Sequence, residues 1–175
     1  MTMHKHRYQF EPLGMRHFDI LRGWLRDPEV QKWYGDESNL ETIENHISDD
    51  RISMMLVRFD GRPLAYLQSY DIFGWENHHL NFLPMGSLGL DTFIGHQELL
   101  GKGHGENYLR CLIARLFKAG VPAIGIDPHP DNKRAIRAYE KLGFQGDKER
   151  TTEWGRVLLM SLYRPNQPSP VLPKP

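Results

Sequence analysis

The stretch from Gly89 to Pro122 constrains the fold more than any other part of this chain. It opens with Gly89 to Ile94, a short run with the character of a β-strand. A glycine-rich turn follows, Gly101-Lys102-Gly103-His104-Gly105. Behind it, Leu109, Leu112, Ile113, Leu116 and Phe117 fall on one helical face, and Gly120 with Pro122 ends the helix. A strand that feeds a helix through glycines brings outward-turned backbone N–H groups to the positive end of a helix dipole. Such a place binds an anion, for example a pyrophosphate. Taken alone, a glycine cluster fits a flexible connector equally well. Two known phosphate loops are excluded. A Walker loop requires Ser or Thr after Gly-Lys, but Gly103 follows Lys102. A dinucleotide fingerprint requires a third glycine at position 106, which is Glu106.

The flanking segments set the class. Tyr8 to Leu13 reads as a strand, Asp19 to Leu25 as a helix stopped by Asp27-Pro28, and Asn39 to Ser48 as a second helix. Ile52 to Phe59 and Pro63 to Tyr70 read as a hairpin turned by Asp60-Gly61, and residues 71–86 as a loop. Ala123 to Ile126 is a short buried strand. A helix runs from a cap at Asp131 to Leu142, and Gln145 to Thr152 with Arg156 to Leu162 form a last hairpin. Strands alternate with helices only in the second half, so the expectation is a mixed α/β sheet, not a doubly wound one.

A chain of 175 residues suits one domain, here taken as residues 1–165, with a flexible proline-rich tail over 166–175. Lys and Arg together equal Asp and Glu, at 22 each, which argues against nucleic-acid or membrane-surface partners. Cys111 is the single cysteine, the opening residues lack the apolar core of a signal peptide, and no apolar run approaches a membrane span. A cytoplasmic location is expected. His4 and His6 form an H-x-H pair, read as part of a frayed terminus. His78 and His79 carry no spacing that supports a metal site, so no metal is expected.

Two segments together resemble a known family. Gly103-His104-Gly105, in its strand-loop-helix setting, looks like the coenzyme A loop of the GNAT acetyltransferases. Asp131 to Phe144, with Asn132, Ala135, Tyr139-Glu140-Lys141, Gly143 and Phe144, resembles that family's second marker. Gly89-Leu90-Asp91-Thr92-Phe93-Ile94-Gly95, Leu100-Gly101-Lys102-Gly103 and Asp127 to Arg137 narrow the resemblance to the aminoglycoside 6'-N-acetyltransferases, in which Leu before the glycines is usual. The resemblance implies a central sheet of about seven strands flanked by about four helices, splayed near Asp91 and Asp127. It implies acetyl-CoA as co-substrate and a small-molecule amine as acceptor, in a monomer or homodimer.

Site residues follow from both sources. Asp91 interrupts an apolar strand, where an unpartnered carboxylate is costly and a ligand ammonium would supply the partner. Asp127 ends the next strand, a position shared by site residues and turn aspartates. Tyr139 shares a helix face with Ile136 and by pattern alone is a core aromatic; the resemblance makes it the general acid and Asp91 the group that orients or deprotonates the amine. Asn132 reads as a cap or, by resemblance, as a pantetheine contact. The implied cofactor contacts are Phe93, Ile94, Leu100, Gly101, Lys102, Gly103, His104, Gly105, Asn132, Ala135 and Tyr139. The implied substrate contacts are Trp33, Tyr34, Glu76, Asp91 and Asp127; Asn77 competes with Glu76 for the acidic contact of the 71–86 loop. Within the same class, siderophore hydroxylamine and protein N-terminal acetyltransferases are alternatives, and a non-catalytic coenzyme A or antibiotic binder uses the same fold.

Overall fold

In the computed structural model, which describes residues 7–166, Asp27-Pro28 stops one helix and starts another. Helix α1 (Phe18–Trp24) ends before it, and α2 (Pro28–Trp33) begins on it. The Asp27 carboxylate accepts the Glu29 N–H at 2.8 Å, and Pro28 occupies the first turn, where its missing N–H costs nothing. This helix was not expected from sequence. With α3 (Asn39–His46), α4 (His104–Lys118) and α5 (Lys133–Leu142), it brings the α-helices of the described region to five. The H-x-H pair at His4 and His6, and the tail beyond Asn166, lie outside the described residues.

The strands are β1 (Tyr8–Pro12), β2 (Ile52–Phe59), β3 (Arg62–Asp71), β4 (Leu88–Ile94), β5 (Ala123–Ile126), β6 (Gln145–Thr152) and β7 (Gly155–Tyr163). They form one seven-stranded sheet in the order β1-β2-β3-β4-β5-β7-β6. Asp60 and Gly61 both take positive φ, as a two-residue hairpin requires. The 71–86 segment is irregular except for a 3₁₀ turn at Ile72–Gly74.

Side chains alternate across the sheet, so adjacent residues serve opposite cores. Leu67, Leu90, Ile124 and Met160 pack under α4 and α5 with Leu109, Leu112 and Ile136. Leu56, Tyr66 and Phe93 pack on the other face with Leu21, Trp24, Leu25 and Ile43. Gly89 must be glycine, because a Cβ there would lie 2.2 Å from the Tyr70 ring.

Every neighbouring pair is antiparallel except β4 and β5. That parallel pair contains only Leu88–Ile124 and Gly89–Gly125. Two residues further on, the strands have parted, and Asp91 on β4 and Asp127 just past β5 stand at equivalent places on the two lips. The β5-facing edge of β4 beyond Gly89 has no strand partner, which leaves its backbone groups to the opening.

Candidate active site

The opening between β4 and β5 continues as a cleft of about 380 Å³, bounded by α2, the turn before α4, and α5. At one end lies the glycine-rich turn. Gly101 and Gly103 adopt φ of 71° and 81°, conformations that glycine takes without steric penalty. A Cβ on Gly101 would meet nothing within 4 Å, and one on Gly105 would only touch Ile94 at 4.0 Å, so the space over the turn is open. Gly103 is the N-cap of the 15-residue helix α4, whose first N–H groups have no partner inside the helix. The residues fit a pyrophosphate cradle. His104 lines it, with Nδ1 held 2.9 Å from the Tyr8 hydroxyl. Burial, then the Lys102 and Arg7 charges, lower its pKa. Leu100 lines the cleft; the Lys102 side chain is exposed and does not.

The N-cap of α5 is Asn132, one of the two residues read as a cap, and not Asp131. Its Oδ1 accepts the Ala135 N–H at 3.2 Å, which leaves its amide N–H groups for a ligand. Asp131 is displaced from the cap because it sits in the preceding turn, where its own N–H meets His129 Nδ1 at 3.1 Å. Ala135 and Tyr139 present themselves to the cleft from this helix, with Phe93 and Ile94 opposite on β4. Tyr139 is 8% exposed, and burial pushes its phenol well above the ordinary range, so it keeps its proton at any physiological pH.

At the other end lie the carboxylates. Gln68 Nε2 donates to Asp91 Oδ2 at 2.6 Å, and the Tyr66 hydroxyl donates to Gln68 Oε1 at 2.7 Å. Burial, reinforced by the Asp127 charge, pushes the Asp91 carboxyl up to about 7. Asp127 lines the same cleft, and His79 Nε2 lies 2.6 Å from its Oδ2. Trp33 and Tyr34, at the end of α2, line the roof. Trp33 Nε1 donates to Glu29 Oε1 at 3.1 Å, and Arg134 of α5 donates to the same oxygen at 2.7 Å, tying α2 across the cleft to α5. Tyr34 packs on Phe93 with ring centres 4.6 Å apart.

Neither candidate for the acidic contact of the 71–86 segment is brought in. Glu76 is exposed in the 71–86 segment and does not line the cleft; neither does Asn77, which turns the chain at φ 57°. The segment opens with a 3₁₀ turn held by Asp71 accepting the Phe73 N–H, and further along it is His79, not Glu76, that reaches Asp127. Sequence reasoning missed His79, Gln68 as the partner of Asp91, and the Glu29–Arg134 strap. For Gln68 the signal lay in the register that sets it directly opposite Asp91 across β3 and β4; His79 and the strap had no local signal. Among the described residues, no group of three or more His, Cys, Asp or Glu is placed to hold a metal ion, and no helix is long and apolar enough to cross a membrane.

Residues 14–152 match the acetyltransferase (GNAT) domain family. The chain belongs to the GNAT acetyltransferases. Among GNAT relatives, an aminoglycoside N(6')-acetyltransferase type 1 from Klebsiella pneumoniae is 30% identical over 155 residues, covering 81% of this chain and 75% of the relative. A kanamycin resistance protein from Rhizobium radiobacter is 41% identical over 76 residues, covering 43% of this chain and 70% of that protein. A solved structure of the aminoglycoside acetyltransferase AAC(6')-Ib with coenzyme A superposes with a TM-score of 0.81 at 27% identity, covering 90% of this chain and 95% of that one. AAC(6')-Ib with coenzyme A and kanamycin also gives 0.81, at 26% identity and the same coverage. The GNAT fold, with its mixed sheet parted at one parallel pair, is therefore that of acetyl-CoA-dependent N-acetyltransferases.

Proposed function

We propose that this GNAT enzyme transfers acetyl from acetyl-CoA to the 6' amine of an aminoglycoside-like sugar. The observation that carries the acceptor class is the pair Asp91 and Asp127, two carboxylates at matching places on the lips of one cleft, which suit an acceptor bearing more than one ammonium. The similarity to proteins named as aminoglycoside 6'-N-acetyltransferases supports the same acceptor.

Acetyl-CoA supplies the activated thioester. The turn at Gly101 to Gly105 binds its pyrophosphate through backbone N–H groups, and the Asn132 amide, Ala135, Phe93 and Ile94 line its arm. Asp91 takes the proton from the bound ammonium. A carboxylate near 7 is matched to this work: enough is ionised at neutral pH, and its basicity is raised. The freed nitrogen lone pair then attacks the acyl carbon. The unpaired edge of β4 donates N–H to the oxygen that gains charge. As the C–S bond breaks, Tyr139 gives its phenolic proton to the departing sulfur, the second proton shed by the new amide nitrogen restores the phenol through water, and Asp91 returns its proton to solvent. Trp33 and Tyr34 cover the acceptor, and Asp127 holds a second amine.

The test of the acceptor assignment is Asp127→Asn. A hydrogen bond to a charged group contributes about 1.5–3 kcal/mol, so KM for kanamycin should rise by roughly ten- to a hundredfold with little change in kcat. An unchanged KM would remove Asp127 from the acceptor site.

A further inference from the structure

Asp127 does not face the cleft as a bare carboxylate. His79, 48 residues away in sequence, holds its Oδ2 at 2.6 Å, which leaves Oδ1 as the oxygen without a protein partner. The two side chains are 16% and 17% exposed, so the contact is shielded from water without being sealed. The His79 ring stacks on His78, centre to centre 4.3 Å at 26°, and the His78 ring lies 5.5 Å from Tyr70. This layer fixes the plane of the imidazole. The other side of His79 opens on a second hollow, shared with His78, Arg150, Glu153 and Trp154. His79 therefore stands in the wall between the acceptor cleft and solvent.

We infer that His79 is a specificity-determining residue, acting through Asp127 as a resident competitor for the acceptor's second ammonium. The inference rests on the proposed acceptor class. A neutral imidazole with its proton on Nε2 donates to Oδ2, aligns the carboxylate, and leaves its full negative charge to an incoming ammonium. An imidazolium makes the same contact but neutralises Asp127, so the second ammonium meets a carboxylate that already has a cationic partner. The acceptor's second amine is thus bound strongly beside a neutral imidazole and weakly beside an imidazolium. A one-amine acceptor, which engages Asp91 alone, feels that change only through the longer-range field of the pair at Asp91. The groups facing His79 are Asp127 from the end of β5, His78 from its own segment, Arg150 and Glu153 from the β6–β7 hairpin, and Asp91 across the opening.

The experiment compares two acceptors, kanamycin and 6-amino-6-deoxyglucose, which carries the reacting amine and no other. Their dissociation constants are measured by calorimetry on the coenzyme A complex, at about pH 6 and about pH 8. The proteins are wild type, His79→Gln, which keeps an N–H donor without a titrating charge, and His79→Asn as a second variant. The amines of kanamycin titrate identically against every protein, so the difference between proteins isolates His79. In wild type, kanamycin should gain about tenfold over the one-amine sugar between the lower and the higher pH, relative to the same ratio in the variants. That factor is the difference between a charged and a neutral hydrogen-bond partner. The same pH response in wild type and both variants would overturn the inference while leaving the acceptor class intact. Failure of wild type to bind either sugar would overturn the acceptor class, and the inference with it.

Discussion

Replacing Asp91 by asparagine should make the protein more stable at alkaline pH while disabling it. The Asp91 carboxyl is raised from 3.8 to about 7 by burial and by the Asp127 charge, and Gln68 is its one hydrogen-bonding side chain. Between those two values the folded protein keeps a proton that the unfolded chain has released. Wild-type stability therefore falls as pH rises through that window, and the loss is complete above about 7. In a dry site such a rise would correspond to about 4 kcal/mol. Asp91 borders an open cleft, where water screens the charge, and about 2 kcal/mol is the expected difference. The Asp91→Asn side chain keeps the shape and can still bond to Gln68 but carries no charge. Urea unfolding at about pH 8 should show the variant more stable by that amount, with the gap closing toward about pH 4. In the same preparations, kcat/KM at neutral pH should fall by roughly 10²- to 10⁴-fold, the usual worth of a general base. A variant that is less stable than wild type at alkaline pH would refute the argument, because it would mean that the ionised carboxylate is stabilised by the fold.

Three further outcomes are expected. Tyr139→Phe keeps the contact with Phe144 and removes only the hydroxyl; kcat should fall by roughly 10²- to 10⁴-fold with coenzyme A affinity unchanged, as read by steady-state kinetics and calorimetry. Gly105→Asp has room for its Cβ, so the thermal midpoint should hold while coenzyme A binding is lost to calorimetric detection, because the new carboxylate faces the phosphates. Since Asp91 must be ionised to act, wild-type kcat/KM should climb as pH passes through about 7, and a flat profile from about pH 5 to pH 9 would remove it as the base.

How much of this was legible in the sequence depended on whether a signal was local. The strand, glycine turn and helix of residues 89–118 are written in spacing and glycine placement, and they stand as expected. So does α5, whose Tyr139 and Ile136 share one buried face. Helix α2 was hidden because Asp-Pro is both a stop for the helix before it and a cap for the helix after it. The parting of β4 and β5 has no local signature and came only through family resemblance. Asp91 announced itself as a charge in an apolar strand, but its partner Gln68 depends on cross-strand register. The pair of His79 and Asp127 was invisible for the same reason, as it joins an aperiodic segment to a distant strand end. Glu76 shows the converse: a plausible residue type in the right segment that does not line the cleft.

The central claim is acetyl transfer to one amine of a polycationic sugar. Purified protein incubated with acetyl-CoA and kanamycin, with thiol release followed and the product examined by mass spectrometry and NMR, tests it most directly. One acetyl group on the 6' nitrogen, released in step with free thiol, is the predicted result. Thiol release with an unrelated amine but no acetylation of any sugar bearing that amine would contradict it.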